Sequence, residues 1–160
     1  MYKRQAQSLL KKYDEANKTL NYFLGLKVLN QYERNLANLR IAKNYREQGK
    51  FDKAQPLFLK IVELDSLKGQ REYIQDYTQL IKNSVELNDL KVIKKYSPIL
   101  IKSSLLEKNL AVKKGFYEAM TEVYNHLNEP KKALKYQTQL LLINDSINTK
   151  LYNKGVVELE

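Results

Sequence analysis

The chain carries one histidine (His126), no cysteine and twelve tyrosines, and these counts bound the chemistry its side chains can do. A single imidazole leaves no histidine pair and no two-histidine metal site. Without thiols there is no cysteine nucleophile, no disulfide and no cysteine-held metal. Neither a glycine-rich phosphate loop nor a G-x-S-x-G elbow occurs. Acidic neighbours such as Asp14 and Glu15 stand among lysines, where water rather than a substrate answers their charge. The tyrosines could stack on bases, but most fall where helices must pack. The expectation is a protein with no catalytic residue, no cofactor and no metal.

What positions these residues must be helix. The 160 residues suffice for one domain with a sizeable core. Leu, Lys, Glu, Gln and Ala abound, while five Gly and three Pro leave few turns. The fold class is therefore all-α. The longest apolar run, Leu140 to Ile143, is far short of the ~20 residues of a membrane span. Membrane contact is expected only through segments outside these residues. The basic start, MYKRQAQSLLKKYDEA, lacks the apolar stretch of a secretory signal. Absence of thiols suits oxidising and reducing surroundings alike, so the compartment stays open.

The net charge of +10 raises nucleic acid as a partner. Its distribution argues the other way. The basic excess is four over residues 1–34, three over 35–73, three over 74–113 and none over 114–160. It is mostly lysine, with five arginines and no run beyond two basic neighbours, whereas arginine is the better reader of phosphate and guanine. A basic nucleic-acid-binding domain is kept as the alternative.

A repeat organises the chain. In IAKNYREQGKFDKAQPLF, Ile41, Ala42 and Tyr45 share a helical face. Gly49 ends that helix. A second begins near Asp52, with Pro56 expected in its first turn and Ala54, Phe58 and Ile61 as its apolar stripe. Tyr124, Asn128 and Ala133 repeat the spacing of Tyr45, Gly49 and Ala54. Asn88 and Ile93 do so between them, and Tyr13 with Ala16 matches Phe51 with Ala54. Ala16, Ala54, Ile93 and Ala133 lie 38, 39 and 40 residues apart, which predicts stacked helical hairpins. The units are 1–34, 35–73, 74–113 and 114–145, followed by a capping or connecting helix over 146–160 that Asp145 or Ser146 would cap.

Ala42, Tyr45, Gly49, Ala54 and Phe58 resemble the signature of the tetratricopeptide repeat, whose unit is about 34 residues. Tyr117, Tyr124 and Ala133 match it in the fourth unit, where Thr121, Asn128 and Gln137 depart. The third unit departs most, with Ile81 and Ile93 where small residues belong and Ser84 and Ser97 where large ones do. That swap reads as an exchange of bulk across one contact. Ser97-Pro98 is expected to kink or break its helix.

The resemblance implies antiparallel hairpins stacked as a right-handed α–α superhelix, with first helices lining a concave groove for a peptide or a partner's helix. Carried across, the groove positions are Leu39, Arg40, Lys43 and Arg46 in the second unit. They are Thr78, Gln79 and Lys82 in the third, and Glu118, Glu122 and Asn125 in the fourth. The groove would be basic in its middle and acidic toward the C-terminal unit. The stretch INDSINTKLYNKGVVELE resembles connecting helices that follow such repeats in Bacteroidetes signalling proteins. This implies a fragment serving as the sensor region of a two-component or transcriptional signalling protein, periplasmic in that case and cytoplasmic for a free adaptor. The stripe Tyr152, Val156 and Leu159 offers a further role, packing on the last repeat or pairing two copies.

Overall fold

The computed structural model describes residues 2–68 and 73–157, and every regular element among them is helical. Contacts group the chain into two units, residues 1–70 and 71–160.

The first unit holds α1 (Tyr2–Gly25), α2 (Gln31–Glu47) and α3 (Phe51–Lys68), with α2 packed against both of the others. A capping box starts α2: the Glu33 N–H donates to Asn30 Oδ1 at 3.0 Å, and the Asn30 N–H donates to Glu33 Oε2 at 2.9 Å. Its end is a Schellman turn. Gly49 sits at φ +70°, its N–H bonded to Arg46 O, and the Lys50 N–H reaches back to Tyr45 O. Glycine takes this left-handed conformation without Cβ strain. Ala37, Ile41 and Ala42 of α2 close on Ala54, Phe58, Ile61 and Val62 of α3, all buried. The alanines let the backbones approach, and each large side chain buried there contributes roughly 1.5–3 kcal/mol. Tyr45 is only half-buried.

The second unit holds α4 (Tyr73–Glu86), α5 (Leu90–Ser104), α6 (Leu110–His126) and α7 (Pro130–Val157). Here α4 packs on α5 and on α6, and α6 packs on α7. Asn88 at φ 54° ends α4 and Asn128 at φ 55° ends α6. The Asp89 N–H bonds to Ser84 O at 2.8 Å, and the Glu129 N–H bonds to Tyr124 O at 2.8 Å. These are the Schellman bonds of Gly49 again. Gly49, Asn88 and Asn128 are the positive-φ residues among those described, spaced by 39 and 40 residues. Ala54, Ile93 and Ala133, each five residues on, are buried. Ile81, Ser84, Ile93 and Ser97 are all buried as well, as an exchange of bulk across α4 and α5 requires.

Several expectations are corrected. Pro56 is the sixth residue of α3, past the first turn, so its ring removes an interior hydrogen bond and is accommodated on the exposed face. α5 runs unbroken through Pro98, and Ser97 is buried rather than capping a new start. Ala16 is exposed while its neighbour Asn17 is buried at 5%, because no described helix covers that face of α1. The hairpin boundaries move outward, with α2 starting at Gln31 and α6 at Leu110 after an Asn109 cap. No helix begins at residues 145–146. α7 passes through them, the Ser146 hydroxyl donating to Leu142 O at 2.8 Å and Thr149 Oγ1 donating to Asp145 O at 2.9 Å. Both hydroxyls satisfy themselves within the helix. Tyr152 and Val156 fall on α7, and Leu159 lies outside the described residues.

Candidate functional site

The groove of interest in the first unit lies between α1 and α2, and the connector between these helices shapes it. Arg34, one turn into α2, folds its guanidinium back over the end of α1. Nη1 donates to Leu24 O at 2.8 Å, Nη2 to Leu26 O at 2.9 Å and Nε to Leu29 O at 3.3 Å. A cation thereby meets the carbonyl-rich helix end, where it is most favourable. Deeper along the same pair of helices, Asn44 Nδ2 donates to Asn17 Oδ1 at 2.8 Å, both side chains buried. A slip of α1 against α2 would leave the Asn44 Nδ2 donor and the Asn17 Oδ1 acceptor unmet, which favours this alignment.

Between these two fastenings opens a groove of about 530 Å³, within the usual range for ligand sites. Leu20 and Phe23 of α1, Leu29 of the connector and Leu36 and Ala37 of α2 form its apolar floor. Phe23 is 46% and Leu36 48% exposed, so large apolar surface stands in water. Glu33, Arg40 and Lys43 line the same groove. Glu33 is engaged in its capping box. Arg40 and Lys43 have no ion-pair partner among the described residues.

Three expected groove positions, Leu39, Arg40 and Lys43, thus line one groove together. The fourth on that helix, Arg46, lies half-buried near the end of α2. In the second unit, Lys82 of α4 is brought to Glu118 and Glu122 of α6, its Nζ 2.9 Å from Glu118 Oε2 and 3.4 Å from Glu122 Oε1. The basic middle and acidic end expected of the groove here neutralise one another. Thr78 is corrected: it is buried at 3%, its hydroxyl donates to Ile74 O at 2.6 Å, and its methyl faces Gly115. It packs α4 against α6 and is closed to a ligand. Gln79 is half-buried and Asn125 exposed.

Sequence reasoning missed Leu36, Phe23 and Leu29. Leu36 was within reach, because Leu36, Arg40 and Lys43 fall at i, i+4 and i+7 on one face. Phe23 and Leu29 depend on how α1 turns into α2, which no periodicity encodes. Comparison with protein-family models, with curated proteins and with solved structures finds no match.

Proposed function

We propose that the chain is a tetratricopeptide-like hairpin module that binds a segment of another protein, and that the α1–α2 groove is where it does so. The observation that carries this reading is the exposed Phe23–Leu36 floor beside Arg40 and Lys43, two cations with no ion-pair partner among the described residues. An apolar floor with a cationic rim complements an amphipathic segment whose apolar anchors alternate with carboxylates. The three equivalent turns at Gly49, Asn88 and Asn128 support the repeat reading, and stacking of the hairpins into a superhelix is part of the proposal.

A signalling role belongs to it too. α7, unbroken from Pro130 to Val157, suits a stiff connecting element between a sensor region and a following module. Reading the gene beyond the codon for Glu160 tests that part, with a membrane span and a kinase or DNA-binding region as the supporting outcome.

The binding test is a fluorescence titration of an acidic, leucine-containing helical peptide against its lysine-substituted counterpart. We expect a Kd on the order of micromolar for the acidic peptide. Leu36→Glu should weaken it by at least about tenfold through the lost apolar contact. Equal affinity for both peptides, or an unchanged Kd in Leu36→Glu, would overturn the reading. Random duplex DNA at the same salt is the control, and stronger binding to it would favour the nucleic-acid alternative.

A further inference from the structure

The second unit carries a surface of a different kind. α5 has four lysines and no acidic residue between Leu90 and Ser104. Val92, Ile93, Tyr96, Ser97 and Leu100 are buried in the core. On the outer side, Lys91, Lys94, Lys95 and Lys102 are all exposed. Lys94, Lys95 and Lys102 stand three, four and eleven residues after Lys91, so they form one face, running about 16 Å along the axis from Lys91 to Lys102.

The same face continues past the helix end into Leu105 and Leu106, 77% and 81% exposed. Ile99, 41% exposed, lies between the lysines. Beyond the leucines the connector to α6 keeps its cation and conceals its anion. Lys108 is exposed, whereas Glu107 is partly covered, its Oε1 accepting from the Lys108 and Asn109 N–H groups at 2.7 and 2.6 Å.

Two adjacent leucines held in water at the tip of a lysine face have no packing role inside the unit. Both features fit one surface. An anionic lipid interface offers negative headgroups along its plane and an apolar layer beneath them, into which a short apolar tip can sink while lysines stay at headgroup level. Nucleic acid answers the lysines and leaves the leucines unexplained. The face presents no arginine, and its one ring, Tyr96, is buried, so neither bidentate phosphate contacts nor base stacking is available. An acidic protein would need a matching apolar socket, whereas a bilayer supplies one wherever it carries charge.

We propose that the outer face of α5 docks peripherally on membranes bearing anionic lipids, Lys91, Lys94, Lys95 and Lys102 lying on the headgroups and Leu105 with Leu106 inserting. No helix of the described residues is long and apolar enough to cross a membrane, so the contact is superficial and reversible. This site is independent of the α1–α2 groove, and either reading stands without the other.

The test is flotation of the full chain with phosphatidylcholine vesicles, with and without about one third phosphatidylserine. Binding should require the anionic lipid and fall steeply as salt rises. Leu105→Ser with Leu106→Ser should weaken it by at least about tenfold while leaving helicity by circular dichroism unchanged, since both side chains are already in water. Lys94→Glu with Lys95→Glu should weaken it at least as much. Absence of flotation, equal flotation with neutral vesicles, or binding indifferent to the leucines would overturn the proposal. So would tighter binding to random duplex DNA that the leucine changes leave intact, which would make the face a phosphate binder.

Discussion

Lys82 of α4 donates to Glu118 of α6 across 2.9 Å, with the lysine side chain 15% exposed. Glu122, one turn on, lies 3.4 Å from the same nitrogen. The pair joins the first helices of two successive hairpins in the second unit. Its geometry is sheltered enough to exceed an ordinary surface ion pair, though both glutamates keep contact with water. Lys82→Met should lower stability by about 1 kcal/mol, and a double-mutant cycle with Glu118→Gln should return a coupling of about 0.5–1 kcal/mol that shrinks as salt is added. Additive single and double effects in chemical denaturation would show the contact to be energetically idle.

Arg34 closes the end of α1 by three hydrogen bonds to carbonyls. Arg34→Lys keeps the charge but loses the planar fork, so it should still cost about 1–2 kcal/mol. Hydrogen exchange locates the effect: the amides of residues 24–29 should exchange faster, while those of α3 hold. Because the same connector carries Leu29, binding of the acidic peptide should weaken with it.

Gly115 stands inside α6, and a Cβ there would meet the Thr78 methyl at 3.8 Å, an ordinary contact. Gly115→Ala should therefore stabilise the second unit by about 0.5–1 kcal/mol through helix propensity alone. Gly49→Ala should do the opposite, because φ +70° penalises any Cβ, at a cost of about 1 kcal/mol. Thermal melts of the two variants should shift in opposite directions.

Tyr136 predicts an alkaline limit. Burial raises its pKa above the ordinary 10.0, with neighbouring Tyr124 and Tyr117 raising it further. The ring lies 5.3 Å from that of Tyr124, nearly parallel. Below pH 10 the folded and unfolded chains both hold the proton, so the group adds no pH dependence. Above it the unfolded chain ionises first, and stability falls as pH rises toward the folded pKa. Tyr136→Phe should flatten that fall in melts recorded from about pH 8 to about pH 11, and an identical slope would locate the alkaline loss elsewhere.

Much of this fold was legible in the sequence because turns are local. Gly49, Asn88 and Asn128 sit at the same step in each hairpin, and a residue that tolerates positive φ is an unambiguous mark. The buried Ala54, Ile93 and Ala133 follow from it by counting. Leu39, Arg40 and Lys43 were expected only through the resemblance to a repeat family, and the structure lines one groove with them. The fate of Thr78 was not legible, since whether a position faces a ligand or a neighbouring helix depends on how closely two helices approach. Thr78 meets that neighbour, its methyl facing Gly115 of α6. Pro56 misled for a related reason, and at Pro98 the helix does not break: both rings face solvent, where a helix absorbs a missing bond without ending.

The hairpin turns impose a rule on how such a chain can vary. Each one fixes three residues between its helices, the second in the left-handed conformation and the third with its N–H reaching back over the last turn. Adding a residue there would rotate the whole following helix by about 100° and turn its buried stripe into water. Yet the spacing from Gly49 to Asn88 is 39 and from Asn88 to Asn128 is 40. The extra residue must have been absorbed outside the turns, in a helix length or in a connector such as 105–109. The turns are joints of fixed gauge and the connectors are slack, so length differences among chains of this design should collect in the second and spare the first.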